Sequence, residues 1–214
     1  MTTQQAPLAL RAATAADVAF LAWGLDEAAG GLFRALFGSK APAVLQKVMA
    51  QPSHTFSYEH AVVAERSGRV VGFCQGYPHG TPSGELAIAT AAGPRVARAA
   101  AIGLLGLPVV VALGRHDPGE WYLQAIAVSP AGRGSGTGSA LFSDAFRRAR
   151  AAKSRMLTLD VDTANTRAIE LYLRLGLRVA ATSRRAVLLG GTRVSRMAAP
   201  VPDAPRSESV PEPY

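Results

Sequence analysis

Residues 132–138 read GRGSGTG, four glycines in seven positions, with Arg133, Ser135 and Thr137 between them. A strand-like run precedes this stretch and a helical one follows. Such a junction turns unpaired backbone N–H groups and the positive end of a helix dipole toward whatever lies above it, so its natural guest is an anion. Glycines let the backbone approach that guest closely and reach positive φ. From the glycines alone, a mobile surface loop and a phosphate cradle are equal readings. The dinucleotide pattern G-x-G-x-x-G fails in both registers, because its third position falls on Ser139 counted from Gly134 and on Thr137 counted from Gly132. No Gly-Lys-Ser/Thr follows, so the nucleoside-triphosphate loop is excluded as well.

A second set of residues could move protons. Asn165 and Tyr172 are seven positions apart, about two helical turns, and share a face with Ala168 between them. Taken alone, Tyr172 reads as an amphipathic core tyrosine. Among carboxylates, Glu120, Glu85, Asp160 and Asp162 are the candidate bases, and each taken singly reads as a solvated or structural group. Glu120, at the start of the strand before the glycine loop, is preferred; Gln124, inside that strand, cannot take a proton. His54, His60, His79 and His116 show no metal-ligand spacing with one another or with Cys74, so no metal is implied. Cys74 sits in an apolar strand pattern and reads as a small buried hydrophobe.

These groups need elements to hold them. Residues 8–14 form an edge-strand pattern, and Thr14 with Asp17 resembles a helix start for a helix closing at Gly30 and Gly31. A further helix covers 42–50. Residues 61–77 are two β-branched runs joined at Ser67 and Gly68, an antiparallel hairpin. Strand 120–128 ends before Pro130, a helix spans 136–152 with Leu141, Ala145 and Ala149 on its buried face, and a strand covers 155–162. A helix over 165–176 stops at Gly176, followed by strands at 177–182 and 186–197 with a turn at Gly190 and Gly191. This order specifies a mixed α/β (α+β) sheet with helices packed on it.

The stretch LQAIAVSPAGRGSGTGSAL resembles the acetyl-CoA-binding motif of the GNAT superfamily of N-acetyltransferases: a strand ending I-A-V-x-P, then R-G-x-G-x-G at Arg133 to Gly138, opening a helix. Asn165, Ala168, Leu171, Tyr172 and Gly176 fit that family's N-x-x-A-x-x-L-Y-x-x-x-G helix. Leu177 departs from it, since phenylalanine usually follows the glycine. The resemblance implies a GNAT fold over 8–198, a central mixed, mostly antiparallel sheet flanked by helices with splayed strands at the acetyl-CoA site. It implies that Ile126, Ala127 and Val128 offer backbone amides to the pantetheine arm and acetyl carbonyl, and that the pyrophosphate lies over Arg133, Gly134, Ser135, Gly136, Thr137 and Gly138. Tyr172 becomes the general acid, Asn165 a hydrogen-bond partner of cofactor or the splayed strand, and Ala168 the small residue beside the cofactor. The implied reaction is direct acetyl transfer to a primary amine. A non-catalytic acyl-CoA sensor and an RNA- or protein-directed acetyltransferase stay open beside it.

Composition bounds the rest. A chain of 214 residues, 49% hydrophobic, supports one domain, with a Pro-rich disordered tail expected over 199–214. One cysteine allows no internal disulfide, and the N-terminal stretch lacks a secretion pattern, so the expected location is cytoplasmic. The net charge of +8 suits polyanions, yet the arginines are scattered, without aromatic interleaving, which argues against nucleic acid as the partner. Arg147, Arg148 and Arg150 read as a solvated helix face. The apolar stretch 99–113 is shorter than the roughly 20 residues of a membrane span and is broken by Pro108. The stretch therefore reads as an inserted buried helix or substrate-side flap. The acceptor, a small-molecule or peptide amine, is expected near Trp23, Phe33 and Tyr77, and a homodimer is left open.

Overall fold

The computed structural model of the protein describes residues 6–95, 97, 117–183 and 193–202. Among these, seven strands form one sheet in the order β1-β2-β3-β4-β5-β7-β6. The strands are β1 (Leu8–Ala12), β2 (Ala61–Arg66), β3 (Arg69–Pro78), β4 (Glu120–Val128), β5 (Met156–Asp162), β6 (Arg178–Thr182) and β7 (Val194–Pro200). Only β4 and β5 run parallel; the other neighbours are antiparallel. The helices are α1 (Val18–Ala28), α2 (Leu32–Phe37), α3 (Ala41–Met49), α4 (Glu85–Ala92), α5 (Thr137–Ala151) and α6 (Thr166–Arg174).

The sheet separates two cores. On one face Leu21 and Leu25 of α1, Phe33 and Phe37 of α2, and Leu45, Val48 and Met49 of α3 pack on Phe73 and Ala125. On the other, Leu141, Phe142 and Ala145 of α5 and Tyr172 of α6 pack with Trp121, Leu157, Leu159 and Met197. The short helix α2, with its two buried phenylalanines, is absent from the sequence expectation. Its N-cap Gly31 has φ 81°, so the glycine pair that ends α1 also starts α2. The hairpin turn falls at Ser67 and Gly68, both at positive φ, as a two-residue turn matched to strand twist requires. Leu177, the departure from the motif, is 1% exposed and fills a core position.

The start of α1 is held as its sequence indicates. Asp17 accepts from the Thr14 N–H at 2.8 Å and from Thr14 Oγ1 at 2.9 Å, and it pairs with Arg11 at 2.8 Å. These partners hold its carboxyl down at about 2, the Arg11 hydrogen bond being the largest cause. Because the folded value lies below the unfolded one near 3.8, the contribution is complete above pH 4 and fades as pH falls through 2. Asp17→Ala is expected to lower stability by about 1 kcal/mol at pH 7. Denaturant midpoints of the two proteins at pH 7 and pH 2.5 check this, the gap narrowing at the lower pH.

At the C-terminal end β7 continues through Pro200. Ala199 is 4% exposed opposite Leu157, and the Val201 N–H donates to the Arg155 carbonyl at 2.9 Å. The folded unit therefore includes residues 199–201 of the expected tail; residues 203–214 lie outside the described part. So do Gly190, Gly191 and the 99–113 stretch read as an inserted helix or flap. Among the described residues no helix is long and apolar enough to cross a membrane.

Candidate active site

The site forms where two neighbouring strands part. The parallel ladder runs from Glu120 opposite Met156 to Leu123 opposite Leu159 and stops, although both strands continue. At the same level the β3–β4 register shifts between Gln75 and Gly76, so Gln124 is an extra residue in β4. A bulge of this kind bends its strand and sharpens the local twist. Beyond it Ile126, Ala127 and Val128 stay paired to Cys74, Phe73 and Gly72 of β3. Their other edge, toward β5, has no ladder partner, and an extended chain fits that gap by backbone hydrogen bonds.

The glycine loop lies at the end of β4. Gly134 and Gly136 adopt φ 72° and 75°. The N–H groups of Gly132 and Arg133 donate to Ser129 and Pro130 carbonyls at 2.9 and 3.3 Å, and the first helical bond runs from Ala140 N–H to Gly136 O at 3.0 Å. Between them, none of the six consecutive N–H groups from Gly134 to Ser139 has an acceptor among the described residues. Such a run at the start of a fifteen-residue helix is an anion cradle. The side chains of Ser135 and Thr137 brace it: Ser135 Oγ donates to Gly132 O at 2.7 Å and lies 3.0 Å from Thr137 Oγ1. Arg133 donates through Nε to Val128 O at 3.3 Å from an exposed position. A cation missed in the sequence, Arg66 at the end of β2, reaches the Ser135 carbonyl at 3.5 Å. Only the strand pairing brings it there.

Tyr172 comes from α6 to the same place. It is 9% exposed, stacked on Phe142 at 5.8 Å, and in one cluster with Cys74, Ala168, Ile126 and Val128. Burial pushes its phenol up to about 12, so it stays protonated across the neutral range. Asn165 is the N-cap of α6, its Oδ1 accepting the Ala168 N–H at 3.1 Å from an exposed position. That oxygen is therefore engaged by its own helix. Cys74 is fully buried and its thiol is pushed up to about 12, which removes it as a nucleophile at neutral pH.

The sequence-selected carboxylates are not brought to this point. Glu120 stands at the far end of β4, about 26 Å from Val128 at the rise of a strand. Its Oε2 accepts from Asp117 N–H at 3.2 Å and Thr158 Oγ1 at 3.3 Å. Asp162 closes a turn by accepting from Ala164 N–H at 2.8 Å, and Glu85 is exposed at the start of α4. Asp160 is nearest the splay, but Arg196 holds both its oxygens at 3.0 and 2.7 Å and Tyr122 Oη donates to it at 3.1 Å.

Arg148 corrects the expectation of a solvated face. With Leu141, Ala145 and Ala149 it completes the i, i+4, i+7, i+8 stripe that α5 turns inward. Its Nη2 donates to His60 O at 2.6 Å and Gly76 O at 3.1 Å, and its guanidinium lies 5.2 Å from the Trp121 ring centre. No group of three histidine, cysteine or carboxylate residues able to hold a metal occurs among the described residues.

Comparison with known proteins accords with this geometry. The model of the acetyltransferase (GNAT) family matches residues 32–177. The chain belongs to that family. No curated protein sequence matches it. A solved acetyltransferase structure is similar with TM-score 0.64 at 24% identity, covering 91% of this chain and all of its own. An N-acetyltransferase from Staphylococcus aureus Mu50 gives TM-score 0.63 at 18% identity, covering 89% and 100%. The ribosomal-protein-S18-alanine N-acetyltransferase from Escherichia coli gives 0.53 at 17%, covering 94% and 98%. At these identities the likeness is one of fold, and this GNAT chain keeps that fold over nearly the whole length of each.

Proposed function

We propose that this GNAT acetyltransferase moves the acetyl group of acetyl-CoA to the primary amine of a small molecule or a peptide, by direct attack. The observation that carries the reading is the meeting of three features: the parted β4 and β5, the run of N–H groups at Gly134–Ser139 without an acceptor among the described residues, and the buried phenol of Tyr172. Acetyl-CoA supplies an activated thioester. Gly134, Ser135, Gly136, Thr137 and Gly138 hold its pyrophosphate through backbone amides, with Arg133 and Arg66 adding positive potential. The free edge of Ile126–Val128 binds the pantetheine arm and polarises the acetyl carbonyl. Ala168 leaves room beside the arm, Asn165 orients the start of α6, and Tyr172 donates a proton to the leaving thiolate.

Thiol release from acetyl-CoA against grouped amines tests the reading, with turnover expected for at least one class. A second reading, acyl-CoA sensing without turnover, draws on Gln124, which puts an uncharged amide where the strand bulges. Calorimetric acetyl-CoA binding with no thiol release from any amine class would select it. Nucleic acid stays outside the proposal, since the cradle concentrates positive potential at one point rather than along a track.

A further inference from the structure

The carboxylates leave the amine without a base, yet at the level of the bulge, beside the likewise unpartnered Arg148 Nη1, three buried side-chain atoms lack a hydrogen-bond partner among the described residues: His60 Nε2, Gln75 Oε1 and Gln124 Oε1. Gln75 and Gln124 come from the neighbouring strands β3 and β4, and His60 from the turn just before β2. Ala61 pairs with Gln75, Gln75 with Ala125, and Gly76 with Leu123, so Gln75, Gln124 and His60, which immediately precedes Ala61, lie at one level of the β2–β3–β4 register. The fork of Arg148 onto His60 O and Gly76 O fixes that adjacency. Gln75 shares the sheet face of Tyr77 and Tyr122. The His60 ring lies 6.1 Å from that of Tyr77, Gln75 pairs with the core residue Ala125 of that face, and Gln124 is the bulge residue next to Ala125. Buried polar atoms without partners are costly, and three of them at one level mark a place built for a guest with N–H or O–H groups.

Resting on the acetyl-transfer reading, we propose that His60 is the proton acceptor for the attacking amine, and that the Gln124 and Gln75 carbonyl oxygens hold that amine and the water linking it to His60. Two strand spacings separate His60 from Gln124, about 10 Å between backbones, which the side chains and one water span. The amine nitrogen loses its proton through the water to His60 Nε2. Its freed lone pair forms the C–N bond as the C–S bond breaks, the Tyr172 hydroxyl protonates the thiolate, and the second proton that the nitrogen then sheds restores the Tyr172 phenol, while the first leaves His60 to solvent. Neutral amide oxygens suit this role better than a carboxylate, which would stabilise the ammonium form and oppose its deprotonation. The charged and titratable groups around His60 are Arg148 from α5, Glu59 beside it and His54 from the preceding loop. Burial first, then the Arg148 charge, holds its imidazole below the ordinary 6.5, so it is neutral and able to accept at pH 7.

The test compares wild type, His60→Ala and Gln124→Leu on the amine that the wild type acetylates best. His60→Ala is expected to lower kcat/KM for the amine about 100-fold, with acetyl-CoA affinity within twofold and partial rescue by added imidazole. The ratio of wild-type to variant activity should hold above pH 6.5 and fall below it, a measure from which ionisation of the amine cancels. Gln124→Leu is expected to raise KM for the amine about tenfold with a smaller change in kcat. Wild-type activity in His60→Ala, or a loss without imidazole rescue and with a flat activity ratio, overturns the proposal while leaving acetyl transfer standing. A wild type inactive on every amine class would instead remove the acetyl-transfer reading, and this inference with it.

Discussion

Tyr172→Phe is expected to lower kcat about 100-fold while leaving acetyl-CoA affinity within twofold. The substitution removes one oxygen and keeps the ring, so the stack on Phe142 and the packing against Cys74 and Ala168 survive. What disappears is the proton for the leaving thiolate. A hundredfold loss corresponds to about 2.7 kcal/mol of transition-state stabilisation. The pH profile carries a second sign: burial pushes this phenol to about 12, so it stays protonated as pH rises and the wild type should show no alkaline fall from Tyr172 below pH 10. Steady-state kinetics with calorimetric acetyl-CoA binding checks both. Unchanged kcat in a variant whose chemistry limits the rate would remove Tyr172 from proton transfer.

The elements of the site were legible because each carries a local signal. The hairpin at Ser67 and Gly68, the strand over 120–128, the glycine-opened helix and the helix over 165–176 are written in short stretches whose physics is local. The same holds for Tyr172, which two helical turns tie to Asn165. The sequence could not show what depends on strand order. Glu120 and Tyr172 both flank the binding motif, yet the rise of β4 puts Glu120 at the far end of its strand. Arg148 looked solvated because three arginines crowd residues 147–150; only the stripe through Leu141 and Ala145 turns one of them inward. His60, Gln75 and Gln124 are scattered over 65 positions and become neighbours only through the β2–β3–β4 register. The bulge that gathers them leaves no residue pattern, since Gln124 reads as an ordinary strand position.

Replacing both Gly134 and Gly136 by alanine should raise the Kd for acetyl-CoA about 30-fold and should do so for one identifiable reason. Both residues sit at positive φ, where a Cβ costs on the order of 1–2 kcal/mol each. Neither ideal Cβ meets any atom within 4 Å, so the strain is in the backbone rather than the packing. The chain relieves it by rotating toward negative φ, which turns the N–H groups of Gly134–Ser139 away from their common focus. S-acetylpantetheine, which lacks the pyrophosphate, separates cradle from chemistry. The wild type should prefer acetyl-CoA strongly over this truncated donor, and the double variant should lose most of that preference while its turnover of the truncated donor stays within about threefold. Added salt should narrow the same preference in the wild type, because the cradle acts through charge at a solvent-facing helix end. Retained preference in the double variant would mean that Arg133 and Arg66, rather than the backbone run, carry the pyrophosphate, and paired charge-removing substitutions at those two positions would then show the effect expected here.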